Sequence, residues 1–394
     1  TAGTMNTRET QWTYNAQGFL ASITDPEGYI MSYEYDPVGR IRTIHRPDGA
    51  TVDFTYDANG NLTLLTNPSS IHHAFAYNAV NRKEAYQAPL SGGYSYLYDK
   101  DRRLIQTNFP SGNRIHNIYA GGRLVQIQTP EGNIDLTYLC GNTVGDIVKG
   151  EESISYGYDG SLVVSEEMNG SINQTLSYDY DDDFHVSSFS YAGAPETYAY
   201  DNDGLLTGAG LFSVSRNAEN GLPESVSDGT ADISRSFNGY GEINAQDYQI
   251  GVATAARWTV SRGDVGKIIQ RTRTVQGSSS EYLYTYDSMG RLLTVSQDGT
   301  RIEEYAYDPN GTRIYEMNAL RGISGRTYTY SEEDHLLSTG DTSYDYDADG
   351  FLTTRTEAGQ VTTYDYASRG ELLSVSLPDG STIEYTYDPL GRRI

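Results

Sequence analysis

Apolar and polar residues alternate in short runs along the entire chain. Val52, Phe54 and Tyr56 alternate with Thr51, Asp53 and Thr55, and Ile383, Tyr385 and Tyr387 alternate with Thr382, Glu384 and Thr386. Strand side chains point to opposite faces with period two, so each run predicts a strand with one aromatic and one polar face. Paired aromatics such as Tyr33 and Tyr35, or Tyr364 and Tyr366, share a face. Each run ends at Asp-x-x-Gly, where the acid can bond the local backbone and glycine accepts positive φ. A second apolar stretch follows, as at Leu292, Leu293 and Val295 or at Leu372, Leu373, Val375 and Leu377. It closes at a second turn: Pro26-Glu27-Gly28, Pro47-Asp48-Gly49, Pro130-Glu131-Gly132 or Pro378-Asp379-Gly380. Two short strands and two turns make a β-hairpin unit. No sustained helical period appears anywhere.

The unit repeats. Its motif is Tyr-Asp-x-x-Gly-x-Leu/Ile, and the first anchors, Tyr14, Tyr35, Tyr56, Tyr77, Tyr98 and Tyr119, are each 21 residues apart. Looser spacing continues through Tyr138, Tyr158, Tyr180, Tyr200, Arg216, Phe237, Arg262, Tyr286, Tyr307, Tyr330, Tyr346, Tyr366 and Tyr387, nineteen anchors in all. Motif glycines follow at Gly39, Gly60, Gly204, Gly290, Gly311, Gly350 and Gly391. Such a period is the signature of a repeat architecture. The array is most regular over 14–138 and 286–394 and degenerate over 205–285, where arginine or phenylalanine replaces the anchor tyrosine. No linker breaks it, so residues 1–394 are expected to form a single array. About 38 strands spaced roughly 4.8 Å apart would make a strip on the order of 180 Å wide. Open sheets rarely pass about ten strands without curling, so a curved wall or hollow spiral is favoured over a slab; closed as a ring, the strip would be about 58 Å across. A wall has many half-exposed positions, which suits a chain with 35 tyrosines.

Tyr35-Asp36-Pro37-Val38-Gly39-Arg40, Tyr286-Asp287-Ser288-Met289-Gly290-Arg291 and Tyr387-Asp388-Pro389-Leu390-Gly391-Arg392 resemble YD repeats of the Rhs (rearrangement hot spot) family. The resemblance covers residues 12–394. It implies an all-β shell: tandem hairpins in a continuous antiparallel sheet, wound as a hollow spiral. Such shells occur in bacterial Rhs toxins, in C components of insecticidal toxin complexes and in teneurins. It further implies a non-catalytic wall segment around the parent protein's own C-terminal toxin, delivery or secretion-system proteins as partners, and a secreted or cell-surface location. The alternative is an extracellular scaffold for adhesion or carbohydrate binding, teneurin-like or wall-associated, with exposed tyrosines against sugar rings of a cell-surface glycan. Tyr387–Ile394 resembles the repeat before the family's core segment, which carries an aspartate-dependent self-cleavage site. The sequence contains no such segment, so no catalytic residue carries over. Both ends fall inside the repeat pattern, as expected of a piece of a longer protein.

Charge and candidate chemistry change this picture little. The net charge of −25 and pI near 4.5 argue against a nucleic-acid partner, which needs clustered Lys and Arg. One cysteine, Cys140, permits no internal disulfide. No apolar run is long enough for a membrane helix, and Thr1–Met5 has no signal-peptide character, so no membrane insertion by this segment is expected. Asp345, Asp347, Asp349 and Gly350 spell the opening of a calcium loop, but the twelfth position is Thr356, with Glu357 one residue late. Asp181 and Asp183, with Asp179 and Asp182, form a second acidic cluster. Solvated turns account for both groups; a structural protein stabilised by metal at them is a third functional class. Arg262-Gly263-Asp264 matches an adhesion tripeptide at a repeat-anchor position. The histidines (His45, His72, His73, His116, His185 and His335) have no zinc-site spacing, and no nucleophile elbow or phosphate-binding loop occurs. Asn61, Asn169, Asn173 and Asn310 lie in Asn-x-Ser/Thr sequons. No cofactor and no enzyme activity are expected.

Overall fold

The computed structural model describes residues 8–90, 92–140 and 142–394; Thr1–Met5 lies outside them. The described residues form 37 β-strands and one 3-10 turn, Ala319–Arg321. The strands belong to one sheet, and the paired neighbours in the chain run antiparallel. The expected all-β hairpin array is thus the fold, with 37 strands against the 38 expected. The chain separates into two compact units. One comprises Thr1–Phe54, Thr66–Ser70 and Thr197–Thr327, the other Thr55–Leu65, Ile71–Glu196 and Tyr328–Ile394.

Many of the hairpins are closed by an aspartate. Asp36 Oδ1 accepts from the backbone N–H groups of Val38 (3.0 Å) and Arg40 (2.9 Å), while Oδ2 accepts from Arg40 Nε at 2.6 Å. Asp287 repeats the set with Met289, Arg291 and Arg291 Nε, and Asp57 does so with Asn59, Asn61 and Asn61 Nδ2. Asn15, Asn78 and Asn238 cap their turns with the same backbone bonds. The turn ends on a residue at positive φ: Gly39 at +88°, but also Asn81, Arg102 and Phe184 at 59–65°. The turn conformation is therefore kept even where glycine is missing.

Register slips by one residue just before each anchor. Thr13 pairs with Ser22 but Tyr14 with Leu20, leaving Ala21 as a bulge, and the ladder to the following strand starts only at Ser22. The Leu20 carbonyl accepts instead from the next anchor: Tyr35 Oη donates to it at 2.8 Å. The same bond joins Tyr119 to Leu104, Tyr158 to Val144, Tyr286 to Ile268, Tyr307 to Leu292 and Tyr387 to Leu372, at 2.7–3.2 Å. In every case the acceptor is the residue paired opposite the preceding anchor. Arginine at an anchor makes the equivalent bond. Arg216 Nε donates to Leu206 O at 2.9 Å and Arg262 Nη2 to Ile243 O at 3.2 Å, and each also donates to a carbonyl of its own turn. Strands from 205 to 285 remain in register, the longest being Ala253–Arg262 with 10 residues.

The residue after the motif glycine covers the next anchor ring. Phe19 stacks on Tyr35 at 5.0 Å and Phe351 on Tyr366 at 5.2 Å, while Arg103 lies over Tyr119 at 4.8 Å and Arg291 over Tyr307 at 5.0 Å. Most strand residues are half-buried. Buried side chains are few and scattered; the apolar ones include Ile134, Ile147, Ile154, Ala367 and Val375 in the second unit and Val295, Ile302 and Ile323 in the first.

Two outcomes follow for stability. Tyr307→Phe deletes one hydroxyl donor and should cost about 1 kcal/mol; Arg216→Met should cost about 1.5–3 kcal/mol, and Arg216→Tyr, which restores a donor, should recover most of it. Urea midpoints of the purified variants check this. Gly28→Ala and Gly39→Ala both place a Cβ at φ near +87°, but only at Gly39 would it meet a ring, 2.5 Å from Phe19 Cζ. Gly28→Ala should cost about 1–2 kcal/mol and Gly39→Ala measurably more. Equal losses would show that the stacked ring does not constrain the turn.

Candidate functional site: turn-to-turn seams and the acidic turns

A hairpin array leaves a row of turns along each edge, with backbone N–H groups at the tips that the ladder cannot satisfy. Within each unit, turns from early in the chain meet turns from late in it, and a side-chain oxygen from one side accepts the free N–H of the other. In the first unit Ser69 N donates to Asn310 Oδ1 at 3.1 Å. In the second, Leu90 N donates to Glu333 Oε1 (3.1 Å), Ser111 N to Asp349 Oδ1 (2.8 Å) and Ser368 N to Glu131 Oε1 (2.8 Å). Charge-assisted bonds are the stronger kind. Glu131 illustrates the balance: burial alone would raise its pKa, but the Ser368 hydroxyl and N–H outweigh it and hold the carboxyl below its ordinary value.

Arginines reinforce these seams. Arg8 grips Glu242 with both terminal nitrogens, at 2.8 and 2.9 Å, and lies 4.2 Å from the centroid of Tyr240. That fork, with help from Asn238 Nδ2, lowers the Glu242 pKa to about 2. Arg46 donates to Pro309 O at 2.9 Å, and Arg392 reaches Glu166. The sequence separation across these contacts is 226–263 residues in both units.

The acidic residues singled out in the sequence are dispersed among turn and seam roles. Asp181 caps its own turn, accepting from Asp183 N and His185 N at 2.9 Å, with His185 Nδ1 3.3 Å from Oδ2. Asp183 contributes only its backbone N–H to that cap. Asp345 accepts from Thr354 Oγ1 at 2.6 Å, Asp347 caps the turn to Asp349 and Phe351, and Asp349 holds Ser111 across the seam. Among the described residues no three His, Cys, Asp or Glu side chains converge as metal ligands. Arg262 of the adhesion-like tripeptide turns inward onto Gly266 O and Ile243 O, leaving Asp264 exposed. His73 bonds Tyr86 and His335 stacks on Tyr346 at 4.6 Å. Cys140 is exposed. Sequence reasoning missed the seam residues; their only local signal is a side-chain acceptor or an exposed N–H at a turn tip.

The family model described as "Teneurin YD-shell" matches residues 1–394. Mouse Teneurin-4 is 30% identical over 161 residues, which are 40% of this chain and 6% of that protein. A protein named Double-stranded DNA deaminase toxin A, from Burkholderia cenocepacia strain H111, is 31% identical over 134 residues, 33% of this chain and 9% of its own length. Among solved structures, TcdB2-TccC3 superposes with a TM-score of 0.80 over 98% of this chain and 26% of that one, at 16% identity. The chain therefore spans only a small part of the relatives it matches. A hydroxyl-stitched hairpin array, matched by the family model from end to end, belongs to the teneurin YD-shell family.

Proposed function

We propose that this chain is a non-catalytic wall segment of a shell that encloses a toxin polypeptide carried by the same parent protein. One observation carries the reading: the strand ladder and the seams leave a wall whose backbone is tied up by its own hydrogen bonds. Among the described residues such a wall offers few strand edges or unpaired loops to a protease between its repeats. The likeness to TcdB2-TccC3 in fold and to a deaminase toxin in sequence supports a toxin as the cargo. Its mechanism is exclusion: the cargo is kept from proteases and from its target until delivery. Delivery or secretion-system proteins are the partners this reading requires. The teneurin relatives favour a second reading, a cell-surface scaffold that presents its tyrosines to glycans.

Limited proteolysis of the full parent protein, read by mass spectrometry, tests the container. The cargo should survive under conditions that degrade a denatured control. Cleavage of the cargo at the control rate would remove the container reading and move the scaffold ahead; a glycan array on the folded protein then tests that one.

The seams also set a pH response. Glu242 has a folded pKa of about 2 against an ordinary 4.5, so its contribution is complete above pH 4.5 and is lost as pH falls toward 2. The stability difference between the native chain and Glu242→Gln should be constant from pH 5 to 8 and shrink between about pH 4.5 and 2. Urea unfolding of both proteins across that range measures it; a difference that persists at pH 2 would show that Arg8 does not hold the carboxylate.

A further inference from the structure

The aromatic face of the degenerate repeats carries a group of arginines that the regular repeats lack. Directly opposed residues of an antiparallel pair share a face. Arg235 lies opposite Gln246, Gln246 opposite Trp258 and Trp258 opposite Arg273, one row across four strands. Two residues along, Arg271 lies opposite Tyr282, its guanidinium 4.6 Å from the ring centroid. Tyr248 closes the near side, bonded through Gln246 to Arg235. Tyr248, Ala256, Arg257, Trp258, Arg271 and Arg273 line one concavity of the first unit.

None of Arg235, Arg271 and Arg273 has a carboxylate partner among the described residues, although the chain holds 53 acids against 28 Lys and Arg. Adjacent Arg257, which also borders the concavity, does have one: its Nε lies 3.5 Å from Asp247. On the aromatic face Glu303 is separated from this row by intervening strands and is already bonded to Tyr305 Oη at 2.8 Å. Arg271 Nε is moreover buried with no acceptor. Arg46 and Arg262 carry an open nitrogen of the same kind, so the case rests on the guanidinium charges that no carboxylate balances, with which an incoming carboxylate would form charge-assisted bonds. Guanidinium forks match carboxylates bidentately, and an indole between them offers a surface for an apolar or aromatic side chain.

We propose that this groove binds an extended acidic polypeptide segment, with carboxylates on Arg271 and Arg273 and a flanking apolar side chain on Trp258. The strand backbones here are already paired in the ladder, so recognition runs through side chains and not through strand addition. Arg235 lies roughly 14 Å from Arg273, three strand spacings across, and is placed for a second carboxylate of the same segment. The inference does not depend on whether the wall encloses a cargo.

The test uses the Trp12→Phe chain, in which Trp258 is the sole indole, titrated with the peptide acetyl-Glu-Phe-Glu-Glu-amide while Trp258 emission is read. A saturable change is expected, with affinity falling about tenfold or more in Arg271→Gln/Arg273→Gln and falling again with added salt. Arg301→Gln, outside the groove and paired with Glu304, should leave binding unchanged; circular dichroism establishes that all variants are folded. No saturable change overturns the proposal, as does equal loss in Arg301→Gln. Equally tight binding of inorganic phosphate or of a single-stranded oligonucleotide would also overturn it, by showing a general anion site.

Discussion

The bond from most anchor side chains to a carbonyl of the preceding repeat is the constraint on which the rest of the wall depends. A bulge before every anchor bends the hairpin and takes one carbonyl out of the strand ladder. That carbonyl needs a donor, and the donor must arrive from the next repeat, because its own partner strand has slipped. Tyrosine meets the requirement with a rigid ring that spans the gap and a hydroxyl at its tip. Arginine meets it at Arg216 and Arg262 with a longer reach and additional donors. The repeat therefore favours a donor at a fixed distance, with tyrosine its commonest solution and Phe237 an anchor that lacks one.

This arrangement compensates for the lack of a large core. Few side chains are fully buried, so stability must be distributed over many small, local terms. Each repeat supplies a capped turn, a stacked or cation-covered ring and one bond to its neighbour, each worth of order 1 kcal/mol. In a repeat array such terms add along the chain. The acidic composition is consistent with this economy: many carboxylates are turn caps whose pKa is held down, as at Asp36, where backbone and Arg40 bonds outweigh the burial that would raise it.

The hairpin period was legible because every repeat spells both its strand and its turn. Val52, Phe54 and Tyr56 announce a face, and Asp57 with Gly60 announce its end. What could not be read is whatever depends on a second repeat. The Tyr35 hydroxyl looks the same in sequence whether it meets solvent or Leu20 O, and the residue after the glycine gives no hint that it will cover the next ring. The seams are less legible still, because Ser111 and Asp349 lie 238 residues apart and neither stands out from its own turn. Asp349 was conspicuous for its acidic neighbours, yet its partner is a serine across a seam.

Departures from the repeat carry information of two kinds, and the physical difference lies in whether the new side chain finds a partner. Arg216 and Arg262 replace tyrosine and take over its bond, so they are structural substitutions in chemical disguise. Arg235, Arg271 and Arg273 sit on the same aromatic face, but no carboxylate neutralises them within the described residues, and one buried nitrogen has no acceptor at all. Arg46 and Arg262 also carry a buried Nε with no acceptor, so it is the missing carboxylate partners of Arg235, Arg271 and Arg273, and not the open nitrogen, that set this group apart. Sites where local rules fail without an internal compensation are where a ligand is to be sought.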